Sequence, residues 1–480
     1  MLDPIGSRSP VIAAVTSTSS LPTSRPHIPT PQYLICPGSH SKRPPTLPLQ
    51  RDCRRCLHSF MDDPDPETFG PLVAITAESL VLLASNIASR CLHLPKSSGK
   101  LIARISGSYN ITYVVELESV KLVIRVPATG WGSGMTLTAA RAMESQVATI
   151  RLIRSKTTIP VPEIYALDTT DNNEIGAPYL CMSFIAGKPV SKVWFDDSGI
   201  LPREELRLRI LTSISRIMAR FSCFTFDKMG SIMEDGSGST VIGPLYDWRE
   251  EEDGGLQVAT SGPFDSTSAF LQESMIASSN ENVWDKAEAK VFEAIVDCGP
   301  TLDSPPGFVL SLPDFDSQNV MVDDQGTVTG LIDWDLAQTM PRFVGYARYP
   351  GWITRDWDPL MYGWPKIAES EDSPETLGRY RAYYNAELGK ALEWSGDWQF
   401  TEKSHMAEAI WIAALHRNNR MEICRKFIQV ATGDDTESLD ALYDIGAGCY
   451  GEEKLSIFKD NLKRLIRREA LDTSTLIGEL

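Results

Sequence analysis

Apolar positions along the chain recur at helical spacing in some blocks and as short β-prone runs in others. Over Leu72–Ala88 they fall at Leu72, Ile75, Leu80, Leu83, Ala84 and Ile87, which predicts a helix with Glu78 outward. From Ile102 to Val126 the pattern changes. One run ends at the turn Ser106-Gly107-Ser108-Tyr109-Asn110, a second spans Ile111–Leu117, and a third spans Val120–Val126. Strand, glycine turn, strand, turn, strand is the pattern of a meander. Helical spacing returns over Thr136–Ser155, where Leu137, Ala140, Val147, Ile150, Leu152 and Ile153 form a broad apolar face.

Leu201–Phe221 is strongly amphipathic, with Leu206, Ile210, Ile214, Ile217, Met218 and Phe221 on one side and arginines on the other. Residues 230–262 are rich in Gly, Ser, Asp and Glu and read as a surface loop. Helices are expected at Thr267–Asn280, Trp284–Val296, 376–395, 403–430 and 453–469. Between them lies a different signal. Val320–Val322 and Thr327–Ile332 flank the turn Asp323-Asp324-Gln325-Gly326, which predicts a β-hairpin. A turn centred on Asp324-Gln325 sets Asn319 opposite Gly330 or Leu331, and Asp333 opposite Ser317.

That hairpin gives the chain its candidate chemistry. It gathers Asp314, Asp316, Asn319 and Asp333 at one end of a small sheet. Hard oxygen ligands so gathered suit Mg²⁺, which takes one or two carboxylates beside waters and substrate phosphates. Gly107 lets a backbone approach a phosphate closely. No histidine lies near these motifs, so a Ser/His/Asp arrangement does not compete.

Asp314, four intervening residues, Asn319, the hairpin and then Ile332-Asp333-Trp334 resemble the catalytic core of the aminoglycoside phosphotransferase family, fungal-type branch, in the protein-kinase-like superfamily. The resemblance runs over about residues 100–430. It implies an α+β bilobal fold, with a small antiparallel sheet and one helix in the N-lobe and a larger, mainly helical C-lobe. The N-lobe would span 61–187 and bind nucleotide. The C-lobe would span 188–480 and carry the catalytic loop 311–334. It further implies ATP and Mg²⁺ as cofactors and a small-molecule hydroxyl as acceptor, as in choline-kinase-like enzymes. Asp314 would deprotonate the acceptor, and Asn319 and Asp333 would hold the metal. Gly107 and Ser108 would cover the phosphates, and Arg125 would clamp them where kinases place a Lys. Thr158-Ile-Pro-Val-Pro-Glu-Ile-Tyr165 matches the turn after the helix, and Tyr179–Ser183 the last small-lobe strand. Adenine would sit near Ser183 and Phe184.

Two positions depart from the family pattern. Leu312-Pro313 stands where His-Gly is usual. Gln146 stands where the helix usually carries the Glu that pairs with the strand cation, and Glu144 is the acid available for that role. These departures keep a pseudokinase, acting through partners, as an alternative. A Ser/Thr protein kinase is a further one, disfavoured by the absence of Ala-Pro-Glu after Asp333. Trp352, Arg355, Asp356 and Trp357 either line an acceptor pocket or lock their loop onto the large lobe. His405 and His416 read as core or surface residues.

Charge and composition narrow the partners. A formal net charge of −17 over 480 residues argues against nucleic acid or an anionic membrane. No apolar run reaches the length of a membrane span. Nine scattered cysteines suit a reducing compartment. The first sixty residues differ from the rest, with ten prolines and seven Lys or Arg against two Asp. They read as a disordered tail. Their basic, Ser-rich, acid-poor character sets a mitochondrial presequence beside the cytoplasm as the alternative location, and a start at Met61 as another reading. Cys53-Arg-Arg-Cys56 with His58 is a weak metal or redox signal. The acceptor's identity and the oligomeric state are not encoded in any motif.

Overall fold

The structure, a computed structural model, describes residues 64–250, 256–278, 281–299, 306–433 and 438–466. The tail, Cys53, Cys56, His58 and Met61 lie outside the described residues. A short 3-10 turn, Gly70–Ala74, precedes helix α1 (Ala77–Cys91). The single helix expected from Leu72 is broken because Thr76 caps α1, its hydroxyl accepting from Ser79 N at 3.2 Å. The meander then forms as β1 (Gly99–Ser106), β2 (Asn110–Leu117) and β3 (Lys121–Pro127). Helix α2 (Leu137–Lys156) follows, capped by Thr136, and leads to β4 (Ile164–Asp168) and β5 (Tyr179–Ser183).

These strands make one antiparallel sheet in the order β1-β2-β3-β5-β4. Strand β4 was not expected. It extends beyond the turn read at 158–165 and pairs with β5 as an edge strand. The sheet face toward α1 is filled by Ile111, Tyr113, Val115, Leu122 and Ile124, which pack with Leu80, Leu83 and Ile87. These side chains alternate along β2 and β3, as a half-buried sheet requires.

The larger part begins with α3 (Arg203–Ala219), whose buried face is the predicted one. The described residues of 230–262 do not form a loop. They make two hairpins, β6 (Ser231–Glu234) with β7 (Thr240–Gly243), and β8 (Leu245–Glu250) with β9 (Leu256–Ser261). Between β6 and β7 the polar residues Asp235–Ser239 form the turn. Tyr246, Trp248 and Val258 are buried against Ala139 and Ala142 of α2 and against Leu336. Helices α4 (Thr267–Ser274) and α5 (Val283–Cys298) lead to β10 (Phe308–Leu310), β11 (Val320–Val322) and β12 (Val328–Leu331).

Closing helices are α6 (Pro374–Ala391), α7 (Ser404–Leu415), α8 (Arg417–Thr432), α9 (Ser438–Ala447) and α10 (Glu452–Ile466). The block expected as one helix over 403–430 is two, joined at an extended His416. Helix α9 was not anticipated. Its apolar residues Ala441, Leu442 and Ile445 pack on α5 and α8. Among the described residues no single helix is long and apolar enough to cross a membrane. The architecture is the expected kinase-like α+β fold, an antiparallel sheet with its helices followed by a mainly helical part.

The β11–β12 hairpin carries one correction. Val320 faces Leu331 and Met321 faces Gly330, but Val322 faces Val328, so Thr329 is an extra residue in β12. Asn319 therefore lies opposite Ile332, whose N–H donates to the Asn319 carbonyl at 3.0 Å. The register at the chemical end is shifted by one from that expected of an unbulged hairpin. The bulge has a partner: Thr329 donates from its hydroxyl to Ala186 O at 2.6 Å. Gly326 holds the turn at φ 78°, where a side chain would crowd Leu206 and Arg209 of α3.

Candidate active site

Strand β10 delivers the loop that begins at Ser311. Leu312 is fully buried and points into the main core. Its apolar side chain offers the loop no hydrogen bond, and Arg348 does that work. Arg348 donates to Leu312 O at 2.9 Å and Val344 O at 3.2 Å, contacts Ser311 Oγ, and pairs with Glu408 at 3.3 Å. The Leu312-Pro313 departure is thus compensated by a buried guanidinium from a later turn.

Asp314 follows. Its Oδ2 accepts from Gln318 Nε2 at 2.7 Å and from Asn319 Nδ2 at 2.9 Å. Burial, and then the carboxylates of Asp316 and Asp333, push the Asp314 carboxyl well above the usual carboxylate range. Asn319 also donates to Asp314 O at 3.0 Å. With its amide nitrogen so used, the Asn319 side-chain carbonyl is the group left for a cation.

Beyond β12, Asp333 sits at φ 63°, a left-handed conformation that Asp tolerates better than most residues. Trp334 pins this turn. Its ring is buried beside Phe221, and its Nε1 donates to Leu331 O at 3.1 Å. Held this way, Asp333 presents a carboxylate whose Oδ1 accepts from Arg125 Nη2 at 3.0 Å.

Arg125 makes a second ion pair, with Asp335 Oδ2 at 3.1 Å. Asp335 was not among the expected site residues. Its Oδ1 accepts from Gln146 Nε2 at 2.6 Å, and Asn110 Nδ2 contacts its Oδ2. Burial opposes the charge of Arg125, but Asp333 and then Asp335 outweigh it and hold the guanidinium more firmly protonated than usual. Burial, and then Asp333, raise the Asp335 carboxyl, against Arg125 and the two amides. The Asp-Trp-Asp spacing was the available signal. With Trp334 turned into the core, its two neighbours can both reach Arg125.

Glu144 does not take the expected role. It pairs with Arg141 at 2.7 Å on the exposed face of α2. Residues two apart on a helix point about 200° apart, so when Gln146 faces inward Glu144 faces solvent. The strand cation is partnered instead by acids on the segment after β12, with Gln146 contributing an uncharged donor.

The glycine turn lies at the same end of the sheet. Gly107 N donates to Asn110 O at 2.9 Å, and Asn110 reaches Asp335. Gly107 and Ser108 thus sit two or three residues from a member of the Arg125 cluster. Tyr109 stacks on Trp248 of β8 with ring centroids 4.7 Å apart and planes 2° from parallel. Ser183 and Phe184 stand apart. Leu180 faces Arg125, and Ser183 lies three residues on, about 10 Å along β5. Its N–H already donates to Glu163 O at 2.8 Å, so that group is not free for a base. Phe184 is partly exposed, with Lys121 Nζ 5.6 Å from its ring centre.

Among the described residues no group of three or more His, Cys, Asp or Glu side chains is arranged around a common metal position. The donors present fit a two-ligand Mg²⁺ site. Asp333 offers a partly exposed carboxylate and Asn319 a free carbonyl, and phosphates with water would complete the shell.

The segment after Asp335 both locks and lines. Trp352 is buried against Trp194 and Phe315, and Asp356 pairs with Arg381 at 2.6 Å. Arg355 pairs with Asp316 at 2.6 Å. Arg355, Trp357 and Asp358 line a cavity together with Asp314.

Comparison with known proteins places these residues in context. Residues 101–383 match the model of the phosphotransferase enzyme family. A subtelomeric hrmA-associated cluster protein of Aspergillus fumigatus is 23% identical over 321 residues, 53% of this chain and 61% of that protein. Altered inheritance of mitochondria protein 9, mitochondrial, of Candida albicans is 27% identical over 221 residues, 44% of this chain and 32% of that protein. The chain therefore spans less than two thirds of the length of these relatives. The crystal structure of aminoglycoside phosphotransferase APH(4)-Ia is similar with a TM-score of 0.39 and 14% identity, over 82% of this chain and 100% of that one.

Proposed function

The chain belongs to the phosphotransferase enzyme family, and we propose that it transfers the γ-phosphoryl group of ATP to a hydroxyl of a small molecule, with Mg²⁺. The observation that carries this reading is the convergence of Asp314, Asn319, Asp333 and Arg125 at one end of the β11–β12 hairpin. Asp314 takes the proton of the acceptor hydroxyl as its oxygen bonds to phosphorus and ADP departs. Gln318 and Asn319 orient the Asp314 carboxylate for that role. Asn319 and Asp333 would hold Mg²⁺, which would neutralise phosphate charge. Arg125 binds the phosphates, and the Gly107-Ser108 turn covers them. Catalysis of this kind is largely positioning and charge neutralisation, so few side chains suffice.

In this reading residues 61–187 form the nucleotide lobe and 188–480 the acceptor lobe, with adenine against the backbone after Ser183 near Phe184. The two departures that favour a pseudokinase have structural explanations here. Leu312 fills the core while Arg348 holds the loop, and Gln146 serves Asp335. The Candida relative's name is mitochondrial, which with the basic tail favours the mitochondrion over the cytoplasm. Thermal unfolding of the full chain with and without Mg²⁺-ATP, beside Asp333→Asn, tests the reading. Ligand at 100 times its dissociation constant adds about 2.7 kcal/mol. A Mg²⁺-dependent shift lost in Asp333→Asn is expected, and no shift at millimolar Mg²⁺-ATP overturns the proposal.

A further inference from the structure

Arg125 has two acidic partners, and they are not equivalent. Asp333 meets Arg125 Nη2 at 3.0 Å with its side chain 40% exposed, whereas Asp335 meets the same nitrogen at 3.1 Å and is 18% exposed. In the phosphotransferase reading the open carboxylate, Asp333, goes to Mg²⁺. A carboxylate shared with a divalent cation is a weakened partner for a guanidinium. The standing counter-charge of Arg125 then falls to Asp335.

Asp335 is built to stay in place. Its Oδ1 accepts from Gln146 Nε2 at 2.6 Å, and its Oδ2 accepts from Arg125 Nη2 and from Asn110 Nδ2. The three donors come from α2, β3 and β2, so turning this carboxylate breaks bonds to three elements at once. Asn110 extends the network, because its carbonyl accepts from Gly107 N at 2.9 Å and closes the glycine turn. Asn110, Arg125, Gln146 and Asp335 line one cavity. A long, flexible cation loses side-chain entropy when it binds a phosphate, and an acid that fixes it beforehand lowers that cost.

We propose that Asp335 is the positioning residue for the ATP phosphates. It holds Arg125, and through Asn110 the Gly107-Ser108 turn, in the arrangement that receives them. The family resemblance gives this role to an acid on the helix, where Gln146 stands. The assignment rests on the phosphotransferase reading and deepens it. Asp335 acts through Arg125 and Asn110 and takes no part in the transfer itself.

Titration calorimetry on the full chain, at a temperature where each variant is folded, gives the Kd of Mg²⁺-ATP and that of adenosine, which has no phosphate for Arg125 to hold. Asp335→Asn is expected to weaken Mg²⁺-ATP about tenfold, the worth of one charge-assisted hydrogen bond, and to leave adenosine unchanged. The double variant Gln146→Glu/Asp335→Asn returns one acid to the cluster from the helix side and is expected to bind Mg²⁺-ATP more tightly than Asp335→Asn. It is also compared directly with the parent, which keeps the test open if Asp335→Asn does not fold. A double variant weaker than the parent by more than about tenfold overturns the assignment. An Mg²⁺-ATP affinity unchanged in Asp335→Asn also overturns it, as does an equal weakening of adenosine, the mark of a merely structural role. Absence of Mg²⁺-ATP binding by the parent chain overturns the phosphotransferase reading itself, so the two failures are told apart.

Discussion

The side-chain amide of Gln146 donates to Asp335 Oδ1 at 2.6 Å, so α2 offers this buried acid an uncharged donor where a carboxylate was the family expectation. The exchange is chemically consistent. Arg125 already has two acids, Asp333 and Asp335, and a third from the helix would leave the cluster with excess negative charge in a poorly solvated site.

Gln146→Glu, which restores the family residue, is therefore expected to harm this protein. It places a carboxylate against Asp335 and removes the donor. A loss of roughly 3 kcal/mol is expected at pH 8. The loss shrinks near pH 4.5, because a carboxyl whose folded-state pKa is raised costs nothing below its unfolded value. Urea unfolding at the two pH values checks this, and a variant as stable as the parent at pH 8 refutes it.

Glu144→Ala is the companion control. Glu144 and Arg141 form an exposed pair, so stability is expected to stay within about 0.5 kcal/mol and the KM for ATP to be unchanged. A marked rise in that KM would return Glu144 to the nucleotide site.

Asp314→Asn removes the proton acceptor but keeps a side chain of the same shape. Turnover with any accepted hydroxyl is expected to fall by about 10²- to 10⁴-fold, while Mg²⁺-ATP still raises the melting temperature. Unimpaired turnover would remove Asp314 from the chemistry.

Asp247 on β8 gives a pH test away from the site. Its Oδ1 is buried without a partner, and burial raises its carboxyl to about 6. The folded state therefore favours the protonated form. No penalty exists below the ordinary value of 3.8, and it grows as pH rises to about 6 and is constant above. Asp247→Asn is expected to stabilise by roughly 2–3 kcal/mol at pH 7.5 and to have little effect at pH 3.5. Equal melting shifts at both pH values would disprove the assignment.

The sequence carried much of this architecture in plain form. The β1–β3 meander, α2, α3 and the hairpin with Asp314, Asn319 and Asp333 follow from periodicity, turn residues and one motif. Arg125 was legible because the family resemblance places a phosphate-binding cation at that position of the strand. What was hidden depends on facing. Ala139, Ala142, Gln146, Thr149 and Ile153 share the buried face of α2, and following that spacing would have selected Gln146 over Glu144. Asp335 stands two residues from Asp333, but its surroundings are set by Gln146 of α2 and by Asn110, which come from distant parts of the chain. The strand pairs β6–β7 and β8–β9 were hidden by the Gly, Ser, Asp and Glu content of residues 230–262, and His405 had no motif around it at all.

The Tyr109–Trp248 stack has a mechanical meaning. Trp248 comes from a segment that follows the crossover at Gly187–Pro189, while Tyr109 belongs to the glycine turn that precedes it. The two rings tie the glycine turn to the β8–β9 strand pair, apart from the covalent connection through residues 187–189. A gaping motion of the two halves about residues 187–189 must either peel those rings apart or drag the β8–β9 hairpin along. The hairpin is also seated on α2, so the strand pair, the helix and the turn travel together.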